Sequence, residues 1–475
     1  MSPSSPGKNP ITARGSPALG KKGRLKSKRG KISRKDIFKA RDELPAFIKM
    51  VVKRMKDGDA EVKEQMAAAL KEIAQMDHGE HAVELYEGKC IKPLVKVVED
   101  GAANAQANAA AALAGILANH PDHQHALVAA NGTHSLCALL RTGSAKVQEE
   151  TAAALATLDS EVSFQAEMIK AGIIPPLVAI LLNGSAAVQA SAAQALANAA
   201  AYSRDAQRAI SRAGAIPPLL ALLGNLGRAQ KPAAGALAKL AHRNKDIQDS
   251  ICEAGGVPLV LSLLNVQVPD VQVHAASAIA ELSSGNAAVQ AVVAKAGGIG
   301  PLLALLGSRS AAAQAQGMCA LAHLASRNRE NQDAISRQDG VRTVVGLLDT
   351  PWERTGQPKP EGAVAVLSAA AFAVMEVSSA NPANQQAVVQ FGGIALLATL
   401  MTSSSTHEEV KAEVAGAVRR LASHPIPEPR LLACALISAA LLLPCHRATV
   451  PRSHRAICSD LTLRYSLVDT ALGAL

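Results

Sequence analysis

The sequence predicts an all-α fold in which repeated helical units stack into a solenoid. A phrase recurs along the chain, most clearly as AGIIPPLVAIL (171–181), AGAIPPLLALL (213–223), AGGVPLVLSLL (254–264) and AGGIGPLLALL (296–306). The first apolar residue after its turn recurs at steps of 41 or 42 residues, with a last step of 53, at Leu94, Leu136, Leu177, Leu219, Val260, Leu302, Val344 and Leu397. Apolar residues follow helical spacing without strict alternation, so we expect almost no sheet. A period of about forty residues is typical of solenoids, in which each unit buries its apolar face against its neighbours.

Each unit begins with a segment marked by asparagine and glutamine, for example NKDIQDSICEAG (244–255). Its glutamine recurs in step with the apolar phrase, at Gln124, Gln165, Gln207, Gln248, Gln290, Gln332 and Gln385. The segment ends at a glycine in most copies, and glycine readily adopts the left-handed conformation that closes helices. We therefore expect a short first helix in each repeat.

Two further helices complete the predicted unit. The apolar phrase starts with proline, which suits the first turn of a helix because its missing N–H leaves no bond unmade there. An alanine-rich run follows, such as VQASAAQALANAA (188–200). Alanine is the strongest helix former, and its small side chain lets neighbouring helices approach closely. Because aromatic residues make up only 2% of the chain, alanine and leucine must supply most of the packing.

This three-helix unit resembles the armadillo repeat. The resemblance covers about 45–423 and includes eight in-register copies of the linked signatures. It implies a right-handed α-solenoid superhelix of about eight to nine armadillo repeats, which we place at residues 43–424. The first unit keeps the alanine-rich third helix but has a charged start, as expected of a capping repeat. The step of 53 comes from an insertion at about 351–361, which holds the single tryptophan, Trp352; a functional loop and a tolerated insertion are both consistent with it.

Positive charge is concentrated in the first part of the chain. Residues 1–42 hold 13 Lys and Arg against two acidic residues, whereas the remainder holds 36 basic and 37 acidic residues. This stretch is rich in Pro, Gly, Ser and Lys, and we predict a basic disordered tail because it cannot bury enough apolar surface to offset its ordering entropy. Its basic clusters fit a nuclear targeting signal or a nucleic-acid-binding arm, with a functionless tail or a transit peptide as alternatives. The cluster residues are Lys21, Lys22, Arg24, Lys26, Lys28 and Arg29.

Residues 425–475 are predicted to form an irregular C-terminal segment with one apolar helix at 431–443, which is too short to cross a bilayer. The seven cysteines include no Cys-x-x-Cys pair, which favours a reducing compartment. The N-terminus has no apolar secretory region, and Ser2 does not fit the N-myristoylation motif. We therefore expect a cytoplasmic or nuclear location, or both, with no transmembrane segment and no lipid anchor.

The sequence offers little for catalysis. No Ser/His/Asp, Cys/His or paired-carboxylate arrangement stands out, and no segment outside the repeats is long enough for a catalytic domain. His120, His123 and His125 are spaced like metal ligands, but the last two occupy the places of Asn331 and Asp333 in a sibling repeat. We interpret them as ordinary turn and helix residues. We expect no catalytic residue, no metal site and no cofactor.

The armadillo resemblance implies that the third helices line a concave groove that holds an extended segment of a protein partner. In the importin-alpha branch, each third helix presents a Trp-x-x-x-Asn pair that holds the partner's cations and backbone. Here the Trp position never holds tryptophan, and the Asn position matches only at Asn198, which disfavours a transport receptor. The Asn position holds Gly115, Thr157, Asn198, Lys239, Glu281, His323, Glu376 and Arg420. The set from Thr157 to Arg420 is the predicted partner groove, and its mixed charge favours a partner with alternating charges.

The sequence thus predicts a non-enzymatic scaffold or adaptor that holds a protein partner along the third-helix groove. One alternative is a nucleic-acid-associated recruiter, in which the basic tail binds phosphates and the solenoid, being nearly neutral, recruits partners. An importin-alpha-like transport receptor is the least favoured alternative. Because aromatic anchors are few, we expect few binding hot spots unless Trp352 or Phe372 contributes.

Overall fold

The structure is a computed structural model that describes residues 44–422, except 77–79, 119, 159–161, 226, 351–358 and 404. These residues form 26 helices and contain no strand, which confirms the all-α prediction. The predicted tail at 1–42 and the predicted C-terminal segment at 425–475 lie outside the described residues, as does Trp352.

The helices group into nine repeats, of which the first has two helices and the others have three. The first helices of repeats 2 to 9 are Ala82–Glu87, Pro121–Ala129, Val162–Lys170, Arg204–Arg212, Lys245–Glu253, Ala287–Lys295, Arg329–Ser336 and Pro382–Gln390. The second helices of repeats 1 to 9 are Leu44–Asp57, Ile91–Asp100, Gly132–Thr142, Ile174–Asn183, Ile216–Gly224, Gly256–Leu263, Ile299–Leu305, Gly340–Gly346 and Gly393–Thr402. The third helices are Ala60–Gln75, Ala103–Leu117, Ala145–Ala156, Ala186–Ala200, Gln230–Ala241, Pro269–Ser283, Ala311–Ala325, Ala363–Ser378 and Glu408–Ala422. The second helix Gly340–Gly346 and the third helix Ala363–Ser378 of repeat 8 flank the predicted insertion at about 351–361.

The first helices begin and end as the sequence predicts. Four of them start at an asparagine whose side-chain oxygen accepts a hydrogen bond from the main-chain N–H three residues later, at Asn244, Asn286, Asn328 and Asn381. This bond satisfies one of the donors that a helix N-terminus leaves without an intrahelical partner. The turn after the first helix holds a glycine with φ between 69° and 80° at Gly172, Gly214, Gly255, Gly297 and Gly392. These turns set the angle between first and second helices.

The core is a continuous stripe along the stack rather than a single centre. All eight apolar marker residues of the second helices are at most 1% exposed. Each third helix packs most extensively against the third helices of the adjacent repeats. Fully buried alanines such as Ala110 and Ala193 lie at these contacts, and their small size permits close approach. The third helices therefore form one continuous layer.

Within the described part of the chain, no single helix is both long and apolar enough to cross a bilayer. Two pairs meet the length and hydropathy criteria only when taken together, Ala287–Lys295 with Ile299–Leu305 and Pro382–Gln390 with Gly393–Thr402. They are bent by 84° and 71°, and in each pair the bend falls at the glycine turn between a first and a second helix.

Candidate partner-binding face

We define the third-helix face as two equivalent positions, four residues apart, near the C-terminal end of each third helix of repeats 2 to 9. The first position holds Ala111, Ala153, Gln194, Gly235, Ser277, Cys319, Phe372 and Gly416. The second position holds Gly115, Thr157, Asn198, Lys239, Glu281, His323, Glu376 and Arg420. All of these residues except Ala111 and Glu376 are partly or fully exposed, although most of their neighbours on the same helices are buried. The two positions therefore form rows that run across the repeats.

A buried glutamine in the first helix fixes the ends of two third helices. In repeat 6, the side-chain amide of Gln248 donates to Ala241 O of the preceding third helix at 3.2 Å. It also donates to Glu281 O at 2.8 Å, at the end of its own repeat's third helix. Gln290 and Gln332 make the same bonds in repeats 7 and 8. Because carbonyls at helix C-termini lack intrahelical donors, these bonds hold successive third helices at a constant offset.

The capping asparagines extend this chain of hydrogen bonds from one repeat to the next. The Nδ2 group of Asn286 donates to Oε1 of Gln248 at 3.2 Å, and that of Asn328 donates to Oε1 of Gln290 at 3.1 Å. Asn244 bonds in the same way to Gln207 at 2.9 Å. The in-step recurrence of asparagine and glutamine was visible in the sequence, but it indicated only a short helix. Their burial and their bonds to the third helices were missed.

An internal ion pair crosses the third-helix face in repeats 1 to 3. Lys71 Nζ lies 2.6 Å from Glu150 Oε1, and each side chain is about one fifth exposed. The pair spans repeat 2, where the third helix carries small residues at the two positions of the face. A Cβ atom at Gly115 would lie 2.7 Å from Ala74 O, so glycine is required by the close approach of the two helices. The charges of Lys71 and Glu150 are therefore paired with each other across the third helix of repeat 2.

Asn198 of repeat 4 is also engaged within the chain. Its Nδ2 group donates to Ala156 O at 3.0 Å and to Leu158 O at 2.7 Å, at the end of the previous third helix. Its Oδ1 accepts from Gln194 Nε2 at 2.8 Å. Thr157 is only partly exposed, and its hydroxyl donates to Ala154 O at 2.8 Å. Both donor hydrogens of the Asn198 amide are thus used inside the solenoid.

Lys239 in repeat 5 is the exposed cation of the predicted groove. Its Nζ lies 5.6 Å from the ring centroid of Tyr202, and this ring meets His242 edge-on with 6.3 Å between centroids. His242 Nδ1 lies 2.9 Å from Glu281 Oε2, so Glu281 has a hydrogen-bond partner in the preceding repeat. Within the described residues, no carboxylate lies within ion-pair distance of Lys239.

His323 of repeat 7 packs against an aromatic side chain rather than pointing freely to solvent. Its ring meets the Phe372 ring edge-on, with 5.5 Å between centroids. Burial lowers the pKa of His323 below its ordinary value of 6.5, and the nearby Glu281 and Glu376 carboxylates oppose this with a smaller effect. The neutral imidazole is therefore the favoured form near neutral pH.

Glu376 is buried, unlike the other predicted groove residues. Arg420 of repeat 9 lies over it, with Nη2 3.8 Å from Glu376 Oε1. The same guanidinium donates from Nη1 to Ser379 Oγ at 2.5 Å. A buried carboxylate requires such a partner, because its desolvation is otherwise costly. Two of the charges in the predicted groove therefore bind each other.

The described histidines and cysteines show no catalytic arrangement. His123 Nδ1 lies 2.7 Å from Ile116 O, which matches the bond from Asn331 Nδ2 to Leu324 O and agrees with the role inferred from the sibling repeats. In the described ranges, no three His, Cys, Asp or Glu side chains are placed to hold a metal ion.

Burial raises the pKa of Cys90 to about 12 and that of Cys319 to about 11. Both thiols are thus protonated at neutral pH and are poor nucleophiles.

The chain matches a known repeat family. The family model for the Armadillo/beta-catenin-like repeat matches residues 165–201, 244–284 and 381–423. No curated protein matches the chain. A crystal structure of a designed armadillo repeat protein for modular peptide recognition is 28% identical, with a TM-score of 0.46, over 49% of this chain and 99% of that chain.

The similarity to a crystallised engineered protein of the Northeast Structural Genomics Consortium extends over most of the solenoid. The two chains are 30% identical, with a TM-score of 0.70, over 84% of this chain and 95% of the engineered chain. A second engineered protein from the same consortium is 33% identical, with a TM-score of 0.48, over 50% of this chain and 96% of that chain. The sequence match to the repeat and the nine stacked repeats agree, and this chain belongs to the armadillo repeat family, whose fold is a protein-binding scaffold.

Proposed function

We propose that this protein is a non-enzymatic scaffold that holds an extended segment of a protein partner along the third-helix face of repeats 4 to 7. The observation that carries the proposal is the pair of mostly partly exposed rows near the C-terminal ends of third helices on which most neighbouring residues are buried. Rows of this kind, at a constant offset, match an extended peptide, whose side chains also recur at fixed spacing.

The internal contacts limit where a partner binds. Repeats 1 to 3 are spanned by the Lys71–Glu150 pair, and repeats 8 and 9 by the Glu376–Arg420 pair. In repeats 6 and 7, between these ion pairs, Ser277 of the first position and Gln316, about one helical turn before Cys319, are partly exposed. Within the described residues, their side chains make no internal hydrogen bond. A partner can therefore reach them without breaking existing contacts, so the central repeats cost least to bind.

The test compares two double variants of the full chain in a pull-down from cells. Ser277→Arg with Gln316→Arg adds bulk to the third-helix face, while Ser262→Arg with Gln338→Arg makes the same exchanges at exposed positions outside it. We expect the first variant to lose specific protein partners that the second retains, with unchanged helical content for both. Equal loss, or no loss, from the two variants would refute the assignment of this face.

The alternative of a nucleic-acid-associated recruiter is favoured by one observation, the charge of 1–42, which has 13 basic and two acidic residues. In this alternative, DNA or RNA binding falls steeply with salt and disappears when 1–42 are removed. We propose that the same tail decides between cytoplasm and nucleus, which a fluorescent fusion of 1–42 tests directly. An even distribution of the fusion contradicts a nuclear signal.

The transport-receptor alternative finds no support in the geometry of its one matching residue. Asn198 uses both amide hydrogens on Ala156 O and Leu158 O, so clamping a partner's backbone would require breaking these bonds. It therefore stays the least favoured of the three functions.

A further inference from the structure

An exposed aromatic and basic cluster lies at the ends of the third helices of repeats 4 and 5. Tyr202 is 70% exposed, in a chain with only three tyrosines. Lys239 Nζ lies 5.6 Å from the Tyr202 ring centroid, and the exposed Arg204 and Arg243 are joined by a bond from Arg204 Nη2 to Arg243 O at 3.4 Å. We name Tyr202, Lys239, Arg243 and Arg204 the Tyr202 cluster.

Tyr202 holds an unfavourable backbone conformation. Its φ is 62°, in the left-handed region, and the same turn position is left-handed in the following repeats, at Arg243 (51°), Gly285 (66°), Arg327 (53°) and Ala380 (54°). A non-glycine residue pays roughly 1–2 kcal/mol to adopt this conformation. In this turn the Tyr202 ring lies exposed at the edge of the third-helix face. Because this conformation recurs in the turn of each repeat, the exposed ring and the charges beside it, rather than the backbone, distinguish Tyr202.

The charges around this ring are unbalanced. Within the described residues, no carboxylate lies within ion-pair distance of Lys239, Arg243 or Arg204, whereas Glu376 of the face is paired with Arg420. A lysine beside an aromatic ring, with two further arginines at the adjoining turns, complements a carboxylate next to an apolar side chain. Nucleic acid fits less well, because the chain outside 1–42 has 36 basic and 37 acidic residues.

We infer that the Tyr202 cluster binds an acidic segment of a protein partner, with a Glu or Asp side chain at Lys239 and Arg243 and the adjacent apolar side chain on the Tyr202 ring. This inference rests on the proposed partner-binding function and gives it a specific chemistry. The site lies where the face is open, between the internal ion pairs of repeats 1 to 3 and of repeats 8 and 9.

The test uses fluorescence anisotropy of the full chain with synthetic peptides of repeated Ser-Glu-Phe-Gly. We expect the glutamate peptide to bind, and its glutamine version to bind at least about tenfold more weakly. Lys239→Glu should weaken binding by a similar factor, while Lys295→Glu, at an exposed lysine of repeat 7, changes the net charge equally and should leave it within about twofold. Since both variants keep 1–42, any binding by the tail is common to them.

The tyrosine is tested by two substitutions that suit its backbone. Tyr202→Gly removes the ring and relieves the left-handed strain, so it should weaken the peptide without destabilising the fold, and Tyr202→Phe should retain binding. Absence of binding, equal effects of Lys239→Glu and Lys295→Glu, or tighter binding of a phosphoserine peptide or an oligonucleotide would overturn the inference. If one of these results were obtained while the Ser277→Arg, Gln316→Arg variant still lost its protein partners, the acidic ligand inferred for the Tyr202 cluster would be wrong. The proposed partner-binding function would then stand.

Discussion

Asn286 caps the first helix of repeat 7 and donates its side-chain amide to Oε1 of Gln248, one repeat earlier, at 3.2 Å. Gln248 in turn donates to the ends of two third helices, at Ala241 O and Glu281 O. The position of the partly exposed rows is thus tied to buried amides of the first helices, which bind carbonyls at the same C-terminal ends of the third helices. Any change in these amides should alter the offset between neighbouring third helices.

Replacing Gln248 with alanine should lower the free energy of unfolding by about 1–3 kcal/mol, because buried carbonyls lose their donor. The measurement is chemical denaturation followed by circular dichroism, with hydrogen exchange to locate the loss in repeats 5 and 6. Gln267→Ala is the matched control, since Gln267 is exposed and should change stability by no more than about 0.5 kcal/mol. Equal effects of the two substitutions would contradict the role assigned to Gln248.

Gly115 should not tolerate a methyl group. In Gly115→Ala the new Cβ would lie 2.7 Å from Ala74 O and 2.8 Å from Ala74 Cβ, so the third helices of repeats 1 and 2 must separate. We expect a loss of about 1–3 kcal/mol by thermal or chemical denaturation, typical of overpacking. At Gly224, no atom lies within 4 Å of the added Cβ, and Gly224→Ala should be neutral or slightly stabilising. A stabilised Gly115→Ala variant would show that the two helices are less closely packed.

The repeat number and helix order could be predicted from the sequence because they depend on local pattern. Leu219 and its equivalents mark buried positions in every repeat, and the glycine turns mark the end of the first helix regardless of what lies beside them. These features recur at fixed spacing, so one repeat predicts the next. The fold class follows from that periodicity, and the resemblance to the armadillo repeat follows from the three signatures that recur with it.

The state of the candidate site residues could not be predicted in this way, because it depends on side chains from other repeats. Lys71 contacts Glu150, which lies 79 residues later in the sequence. The two side chains meet across the third helix of repeat 2, which carries small residues at the two face positions. Glu376 occupies the same repeat position as the exposed Lys239, yet it is buried under Arg420. Residues at equivalent repeat positions lie on the same face of their third helices. Their burial and charge pairing, however, depend on the length of the side chains in the neighbouring repeats.

The lowered pKa of His323 makes stability depend on pH. Because the folded chain binds a proton at this ring less readily than the unfolded chain, the contribution is complete above pH 6.5 and is lost as the pH falls toward the lowered pKa. We expect His323→Asn to reduce the loss of stability between about pH 7 and pH 5, measured by urea denaturation at each pH. His134→Asn, at an exposed position, should leave the pH profile unchanged. An unaltered slope in His323→Asn would contradict this account.

Arg420→Ala should destabilise the end of the described solenoid by about 1–3 kcal/mol, because it leaves the Glu376 carboxylate without its cation. The side chain of Arg420 is 41% exposed, so screening by solvent keeps the effect toward the lower end of this range. Arg419→Ala is the control, since Arg419 is the exposed neighbour on the same helix. We expect it to change stability by no more than about 0.5 kcal/mol.

A double-mutant cycle separates the charge pair from the packing of the arginine stem. If the buried charge causes the loss, Arg420→Ala should cost less in a Glu376→Gln background, because a neutral amide does not require the cation. If the aliphatic stem of Arg420 causes the loss, the cost should be the same in both backgrounds.

A smaller cost in the Glu376→Gln background would also mean that Glu376 cannot be reversed to lysine to probe partner binding, since a lysine there would face Arg420 in a buried position. Lys239, exposed and without a carboxylate within ion-pair distance among the described residues, is the residue at which a charge reversal tests binding rather than folding.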